Sequence, residues 1–255
     1  MKKTTLLRAG NAIAFLATVI VNGLANALPL NGLNTGEISD RFDIFFVPAG
    51  YVFSIWGLIY LLLAGFAIYQ ALPGQRENQL VDQIGGWFIL SAVANIVWIF
   101  LWHYEVFTLT LLAMVTLLLS LIVIYVRLDI GGGNSSRADQ LLIQLPFQVY
   151  LGWITVATIA NVTQLLYFVS WDGFGIAPAT WAVVMLIVAG LVGTLMSFKR
   201  RDFPYVLVLI WAFVGIAVKH ADTQLVMVTA YAVAGLLGVI GLGAILGQRA
   251  RLRGA

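Results

Sequence analysis

The sequence has no cysteine and only two histidines, and charged residues make up 10% of its 255 residues. The absence of cysteine excludes disulfide bonds and thiolate metal sites. Ordinary soluble domains carry about 25% charged residues, so this low charge content argues against a soluble globular protein. The net charge of +3 is too small to indicate binding to nucleic acid. Strict alternation of apolar and polar residues, which marks a membrane barrel, is also absent.

Long apolar runs are what the sequence does contain, and 61% of its residues are hydrophobic. A helix needs roughly 20 apolar residues to cross a bilayer core, where its backbone polar groups must be paired within the helix. We therefore predict an all-α fold, a polytopic membrane helical bundle of about eight transmembrane helices. The predicted spans are 11–30, 46–70, 84–102, 106–126, 139–169, 178–198, 203–219 and 223–247.

Lysine and arginine are distributed unevenly between the connections of these spans. With the N-terminus in the cytoplasm, 12 of the 14 basic residues fall on the cytoplasmic side. These are Lys2, Lys3, Arg8, Arg76, Arg127, Arg137, Lys199, Arg200, Arg201, Arg249, Arg251 and Arg253; only Arg41 and Lys219 fall outside. By the positive-inside rule, this predicts that both termini lie in the cytoplasm. We expect the membrane to be the bacterial inner (plasma) membrane.

Aromatic and amide side chains recur at helical spacing within the second, third and fifth spans. Trp153, Ala157 and Asn161 follow each other at intervals of four residues, so they share one helix face. One interpretation is that this face forms the floor of a pocket for a flat apolar ligand. The other is that Asn161 only makes hydrogen bonds between neighbouring helices. The candidate ligand-binding residues are Pro48, Tyr51, Trp56, Tyr60, Asn95, Trp98, Tyr150, Trp153, Ala157 and Asn161.

The same three spans carry a family resemblance. The second contains Pro48, Val52, Phe53, Trp56 and Tyr60, the third reads Asn95-Ile96-Val97-Trp98, and the fifth runs from Tyr150-Leu151-Gly152-Trp153 to Ala157 and Asn161. These stretches resemble, in order, three motifs of the translocator protein family (TspO/MBR, the tryptophan-rich sensory proteins). Ala49 stands where that family has a proline, and Tyr51 and Gln164 stand where it commonly has tryptophan.

The resemblance covers about residues 10–170, which hold the first five spans. It implies that residues 1–170 form a region similar to the TspO/MBR five-helix bundle. Residues 171–255 then form an additional region of three transmembrane helices, without a counterpart in the five-helix family. We interpret this region as a fusion or expansion that affects oligomerisation.

Members of that family bind porphyrins and sterol-like lipids inside the five-helix bundle. The resemblance therefore implies a sensor-like membrane protein of the translocator type, with a porphyrin, haem or sterol-like lipid as its ligand. Its other expected partners are membrane lipid and a second copy of the chain or a larger membrane complex. Three alternatives stay open: an accessory structural subunit of such a complex, a transporter of such ligands, and an enzyme that breaks down porphyrin. The sequence offers no catalytic residue set and no metal site for the last of these.

Several other polar residues have competing interpretations. Loop 31–45 carries charged residues and is predicted to be a lid over the ligand pocket. His103 and His220, each near a carboxylate, are interpreted as solvated loop residues or, less simply, as metal ligands. Gln144 and Gln148 are four residues apart in the fifth span and fit either a polar contact between helices or a proton path.

Overall fold

The structure, a computed structural model, describes residues 3–28, 30–132 and 135–253, and no β-strand occurs in these ranges. Its helices are α1 (Lys3–Ala27), α2 (Thr35–Asp40), α3 (Ile55–Ala71), α4 (Gln79–Ile84), α5 (Trp87–His103), α6 (Phe107–Arg127), α7 (Arg137–Asp139), α8 (Leu145–Phe168), α9 (Pro178–Lys199), α10 (Phe203–Lys219) and α11 (Gln224–Arg253). The predicted all-α fold is confirmed, because the eight long helices coincide with the eight predicted spans.

The long helices have the length and surface of membrane-spanning segments. Six helical stretches are long and apolar enough to cross a bilayer, and α5 and α10 are apolar helices of 17 residues. Large apolar side chains on their outer faces are more than 60% exposed, for example Leu61, Leu112, Leu191 and Val239. In water such a surface would favour aggregation. In an integral membrane protein it contacts lipid.

Five of the long helices close into a ring. Helix α1 packs against α3 and α5, α5 packs against α6, α6 against α8, and α8 against α3. All five of these helices lie within residues 1–170. Helices α5 and α8 are not neighbours in the ring, so side chains that join them must cross its interior.

The last three helices pack against one another and join the ring through α10. Helix α10 contacts α8 and the 3₁₀ turn Gly50–Ser54 that precedes α3. Two glycines allow this close approach: a Cβ on Gly152 would lie 3.1 Å from the Tyr205 carbonyl oxygen, and one on Gly215 would lie 2.2 Å from Val52 Cγ2. The backbone amide of Ala49 also donates a hydrogen bond to the Gly215 carbonyl at 3.1 Å. The three-helix region is therefore closely packed against the ring.

Helix α8 is preceded by one turn of π-helix, Gln140–Gln144. Pro146 follows at the start of α8, and a proline lacks the amide that an α-helix would need to bond four residues back. The Leu145 amide instead bonds to the Gln140 carbonyl, five residues earlier. The predicted fifth span is thus continuous, and its altered first turn is explained by this proline.

The bundle has two chemically different ends. At the basic end, Arg8 pairs with Asp82 at 2.9 Å, and Arg200 pairs with Asp129 at 3.2 Å. The opposite end carries α2, so we call it the α2 end. Of the predicted cytoplasmic charges, the side chains of Lys2, Lys3, Arg249, Arg251 and Arg253 lie outside the described part of the chain.

Candidate functional site

Four aromatic side chains, which we call the aromatic cluster, meet inside the ring where α3 faces α8. They are Trp56, Tyr60, Tyr150 and Trp153. Trp56 and Tyr60 are one helical turn apart, and their rings stack with centroids 5.5 Å apart. The Trp56 ring meets Tyr150 and Trp153 nearly edge-on, at 5.9 Å and 6.3 Å. Edge-to-face contacts at these distances are favourable for aromatic rings, so the cluster is a stable packing unit.

Asparagines extend this cluster across the ring. Asn22 of α1 donates to the Asn95 side-chain oxygen at 2.7 Å, and the Asn95 amide donates to the Tyr150 hydroxyl at 3.2 Å. Both asparagines are buried. The chain of bonds joins α1, α5 and α8, and it crosses the interior because α5 and α8 are not neighbours.

A second set of hydrogen bonds crosses the interior closer to the α2 end, and we call each of the two sets a crossing. The Trp98 indole donates to the Asn161 side-chain oxygen at 3.1 Å, and Asn161 in turn donates to the Thr110 hydroxyl at 2.9 Å. This contact joins α5, α8 and α6. Hydrogen bonds between membrane helices contribute about 0.6 kcal/mol on average. The interhelical bonding that the sequence allowed for Asn95 and Asn161 is therefore present.

The predicted residues do not all meet in one place. Pro48 is buried beside Gly215 of α10, and the Tyr51 ring packs edge-on against Trp211 of α10 with centroids 5.5 Å apart. Tyr51 is half exposed. Ala157 lies on α8 between the two crossings and packs against the core. Pro48 and Tyr51 therefore belong to the contact with α10, whereas most of the other candidates fill the ring.

Two polar atoms in the aromatic cluster are buried and have no hydrogen-bond partner among the described residues. They are the Tyr60 hydroxyl oxygen and the Trp153 indole nitrogen. Trp153 is only 2% exposed, so its N–H is withdrawn from solvent as well. An unpaired buried donor costs about 1–3 kcal/mol, and native structures contain few of them. These atoms are thus the part of the cluster best suited to meet a polar atom of a ligand.

The interior is closed around these donors. A void beside Tyr150, lined also by Thr18, Leu63 and Phe88, has a volume of about 10 Å³. Such a space holds about one water molecule. This void is too small for a molecule with several rings.

The segment predicted to be a lid is folded and anchored. Asn34 and Glu37 form a capping box that starts α2. His103, fully buried, lies within hydrogen-bond distance of two atoms of the segment: the Leu30 carbonyl oxygen and the Thr35 hydroxyl, both at 3.1 Å. Because a carbonyl only accepts, the Nδ1 atom of His103 carries a proton and donates it to the Leu30 carbonyl. The interpretation of His103 as a solvated loop residue was wrong.

Ion pairs hold residues 40 and 41 of the same segment. Arg41 pairs with Glu105, and Lys219 pairs with Asp40. His220 packs its ring against Phe45, and burial lowers the pKa of its imidazole. Among the described residues, no group of three His, Cys, Asp or Glu side chains is placed to hold a metal ion.

A buried carboxylate at the basic end, that of Asp202, was not among the predicted site residues. Asp202 is fully buried at the start of α10, and its side chain accepts hydrogen bonds from the Tyr125 hydroxyl, the Gln148 amide and the Tyr205 backbone amide. Burial raises the pKa of Asp202 to about 6. The sequence did carry a signal: an aspartate two residues before Pro204 fits a helix N-cap. Gln148 therefore makes a polar contact between helices, as one of its two interpretations held.

The family model described as TSPO-like protein matches residues 7–243. The match runs through α9 and α10 into α11, so it extends beyond residues 10–170, which hold the sequence motifs. No curated protein and no solved structure matches the chain.

Proposed function

The chain belongs to the TSPO-like protein family, and we propose that it binds a flat hydrophobic ligand, a porphyrin or a sterol-like lipid, inside its ring of five helices. Its role would be that of a ligand sensor. We further propose that residues 1–170 form the ligand-binding region and residues 171–255 an accessory region. The proposed location is the bacterial inner membrane with the basic end in the cytoplasm, since lysine and arginine favour that side.

The observation that carries the proposal is the pair of unpartnered donors in the aromatic cluster. The Trp153 N–H and the Tyr60 hydroxyl are buried among aromatic rings that could stack on a flat ligand. A porphyrin carboxylate or carbonyl, or a sterol hydroxyl, would accept a hydrogen bond from one of them. Binding would then replace ring-to-ring contacts with ring-to-ligand contacts and pair a donor that is otherwise unpaired.

Binding would be coupled to a conformational change, because the interior is closed. The Asn95–Tyr150 and Trp98–Asn161 hydrogen bonds cross the ring and must separate to admit a ligand. The segment anchored by His103 closes the α2 end above them. Release of this segment, which the sequence analysis predicted to be a lid, is the gating step that we propose.

Titration of the purified chain in lipid nanodiscs with protoporphyrin IX tests this proposal. We expect a saturable shift of the porphyrin absorption band. Trp153→Phe keeps a ring but loses the donor, and should weaken binding about fivefold, the equivalent of one hydrogen bond of about 1 kcal/mol. Ala157→Leu adds volume inside the ring and should weaken it further.

Trp87→Phe is the matched control, because Trp87 lies at the basic end under Arg127 and outside the aromatic cluster. It should leave the titration unchanged. Binding that does not saturate, or that is equally affected by the Trp87 and Trp153 substitutions, would contradict an interior site. A porphyrin that binds but whose spectrum decays with time would instead favour the enzyme alternative.

A further inference from the structure

A second cavity lies outside the ring, in the angle between α8 and α9. It has a volume of about 320 Å³ and is bordered at the α2 end by residues 43–46 and 171–173. Its walls include Thr158, Val162, Tyr167, Trp171, Trp181 and Met185. Thr158 is five residues from Trp153, or about 140° around the helix, so the cavity and the aromatic cluster lie on different faces of α8.

The walls of this cavity offer an apolar and aromatic surface. The rings of Trp171 and Trp181 lie 5.4 Å apart at its edge, and the Trp181 indole donates to the Gly173 carbonyl. The hydroxyls of Thr158 and Thr163 bond to backbone carbonyls of their own helix. The Trp181 indole and the two threonine hydroxyls are thus already engaged, and most of the remaining wall is apolar, which favours a bound molecule with an apolar body.

The two charged residues of the cavity lining are both acidic. Asp43 and Asp172 are exposed, and neither forms an ion pair within the part of the chain that the structure describes. Asp172 accepts a hydrogen bond from the Phe174 backbone amide. The basic residues of the neighbouring segments have other partners, Glu105 for Arg41 and Asp40 for Lys219. The rim therefore keeps a negative charge that attracts a cation.

We propose that this cavity binds a lipophilic cation, with its apolar body between α8 and α9 and its positive charge near Asp43 and Asp172. Indole faces add to the preference, since they attract cations through their π-electrons. This site is separate from the ring interior, so its ligand neither competes with a porphyrin nor depends on the proposed function.

Tetraphenylphosphonium and tetraphenylborate form a matched pair of probes, because they share size and rings but carry opposite charges. Binding of each to the full chain in neutral nanodiscs is measured by equilibrium dialysis, with empty nanodiscs subtracted. We expect saturable binding of the phosphonium and none of the borate. The double substitution Asp43→Asn with Asp172→Asn should weaken phosphonium binding about fivefold, the effect of two exposed carboxylates.

Two further substitutions locate the site. Val162→Phe fills the cavity and should abolish phosphonium binding, whereas Leu165→Phe, on the same helix but outside the lining, should preserve it. Trp153→Phe and excess protoporphyrin IX should leave phosphonium binding unchanged, which separates this site from the ring interior.

Three results would overturn the proposal. They are equal binding of both probes, unchanged phosphonium binding in the Asp43 and Asp172 double variant, and displacement of the phosphonium by porphyrin. If Val162→Phe lowers the thermal midpoint, the double variant still decides, because its substitutions are exposed and nearly isosteric.

Discussion

Asp202 allows a quantitative prediction, because its carboxylate is buried at the junction between the ring and the last three helices. Its oxygens accept hydrogen bonds from Tyr125 of α6 at 2.8 Å and from Gln148 of α8 at 3.0 Å. The third donor, at 2.9 Å, is the Tyr205 backbone amide of its own helix. The perturbation that we propose is Asp202→Asn, which keeps the size of the side chain and removes its charge.

The size of the expected change in stability follows from the pKa of Asp202. Burial raises the pKa of Asp202 to about 6, against an ordinary value of 3.8. The folded protein thus retains a proton that the unfolded chain has already released, and stability falls as the pH rises from about 4 to about 6. A difference of roughly two pKa units, at about 1.4 kcal/mol each, corresponds to about 3 kcal/mol. Above about pH 6 the carboxyl is ionised in both states, so this contribution no longer changes.

The assay is unfolding of the purified protein by a denaturing detergent, followed by near-ultraviolet circular dichroism between about pH 4 and about pH 7. The free energy of unfolding of the wild type, minus that of Asp202→Asn, should fall by about 3 kcal/mol over this range. Asp129→Asn is the control, since Asp129 is an exposed carboxylate that pairs with Arg200. A difference that stays flat, or that rises with pH, would refute the reasoning.

Two other substitutions test the contacts that hold the fold together. Gly215→Ala places a methyl group against Val52 and should lower the free energy of unfolding by about 1–3 kcal/mol. Gly235→Ala is the control, because Gly235 is at an open position, and it should have little effect. Equal effects of the two substitutions would contradict the close contact of α10. His103→Leu removes the hydrogen bonds to Leu30 and Thr35, worth about 2 kcal/mol together. It should speed hydrogen–deuterium exchange in residues 30–41 with little change in residues 87–100, and unchanged exchange in the first range would show that His103 does not anchor the segment.

The candidate site was only partly predictable from the sequence. The spacing of Trp153, Ala157 and Asn161 predicted that they share one face of α8, because helical periodicity is a local property. Whether such a face lines an open pocket depends on what projects from the helices opposite. Here Asn95 and Trp98 reach across the ring and close it, which no spacing within one helix could indicate.

The burial of charged and polar residues was also not predictable from the sequence around them. His103 stands beside Tyr104 and Glu105 in a short polar connection, which suggested exposure to solvent. It is buried because residues 30–35, about 70 positions earlier, fold over it. Asp202 follows two arginines in a charged loop, yet Tyr125 and Gln148 enclose it. Burial of a polar side chain is decided by partners distant in the sequence.

The sequence by itself determined the class of the protein, the number of its long helices and the family motifs. In a bilayer the backbone must be paired within each span, so a long apolar run has one stable form and can be identified locally. Only the tertiary structure decided that α1, α3, α5, α6 and α8 close into a ring, that Gly152 and Gly215 let α10 dock, and that a cavity remains between α8 and α9. These features depend on how the faces of separate helices fit together, and similar apolar side chains cover all of those faces, so hydrophobicity alone does not specify which of them meet.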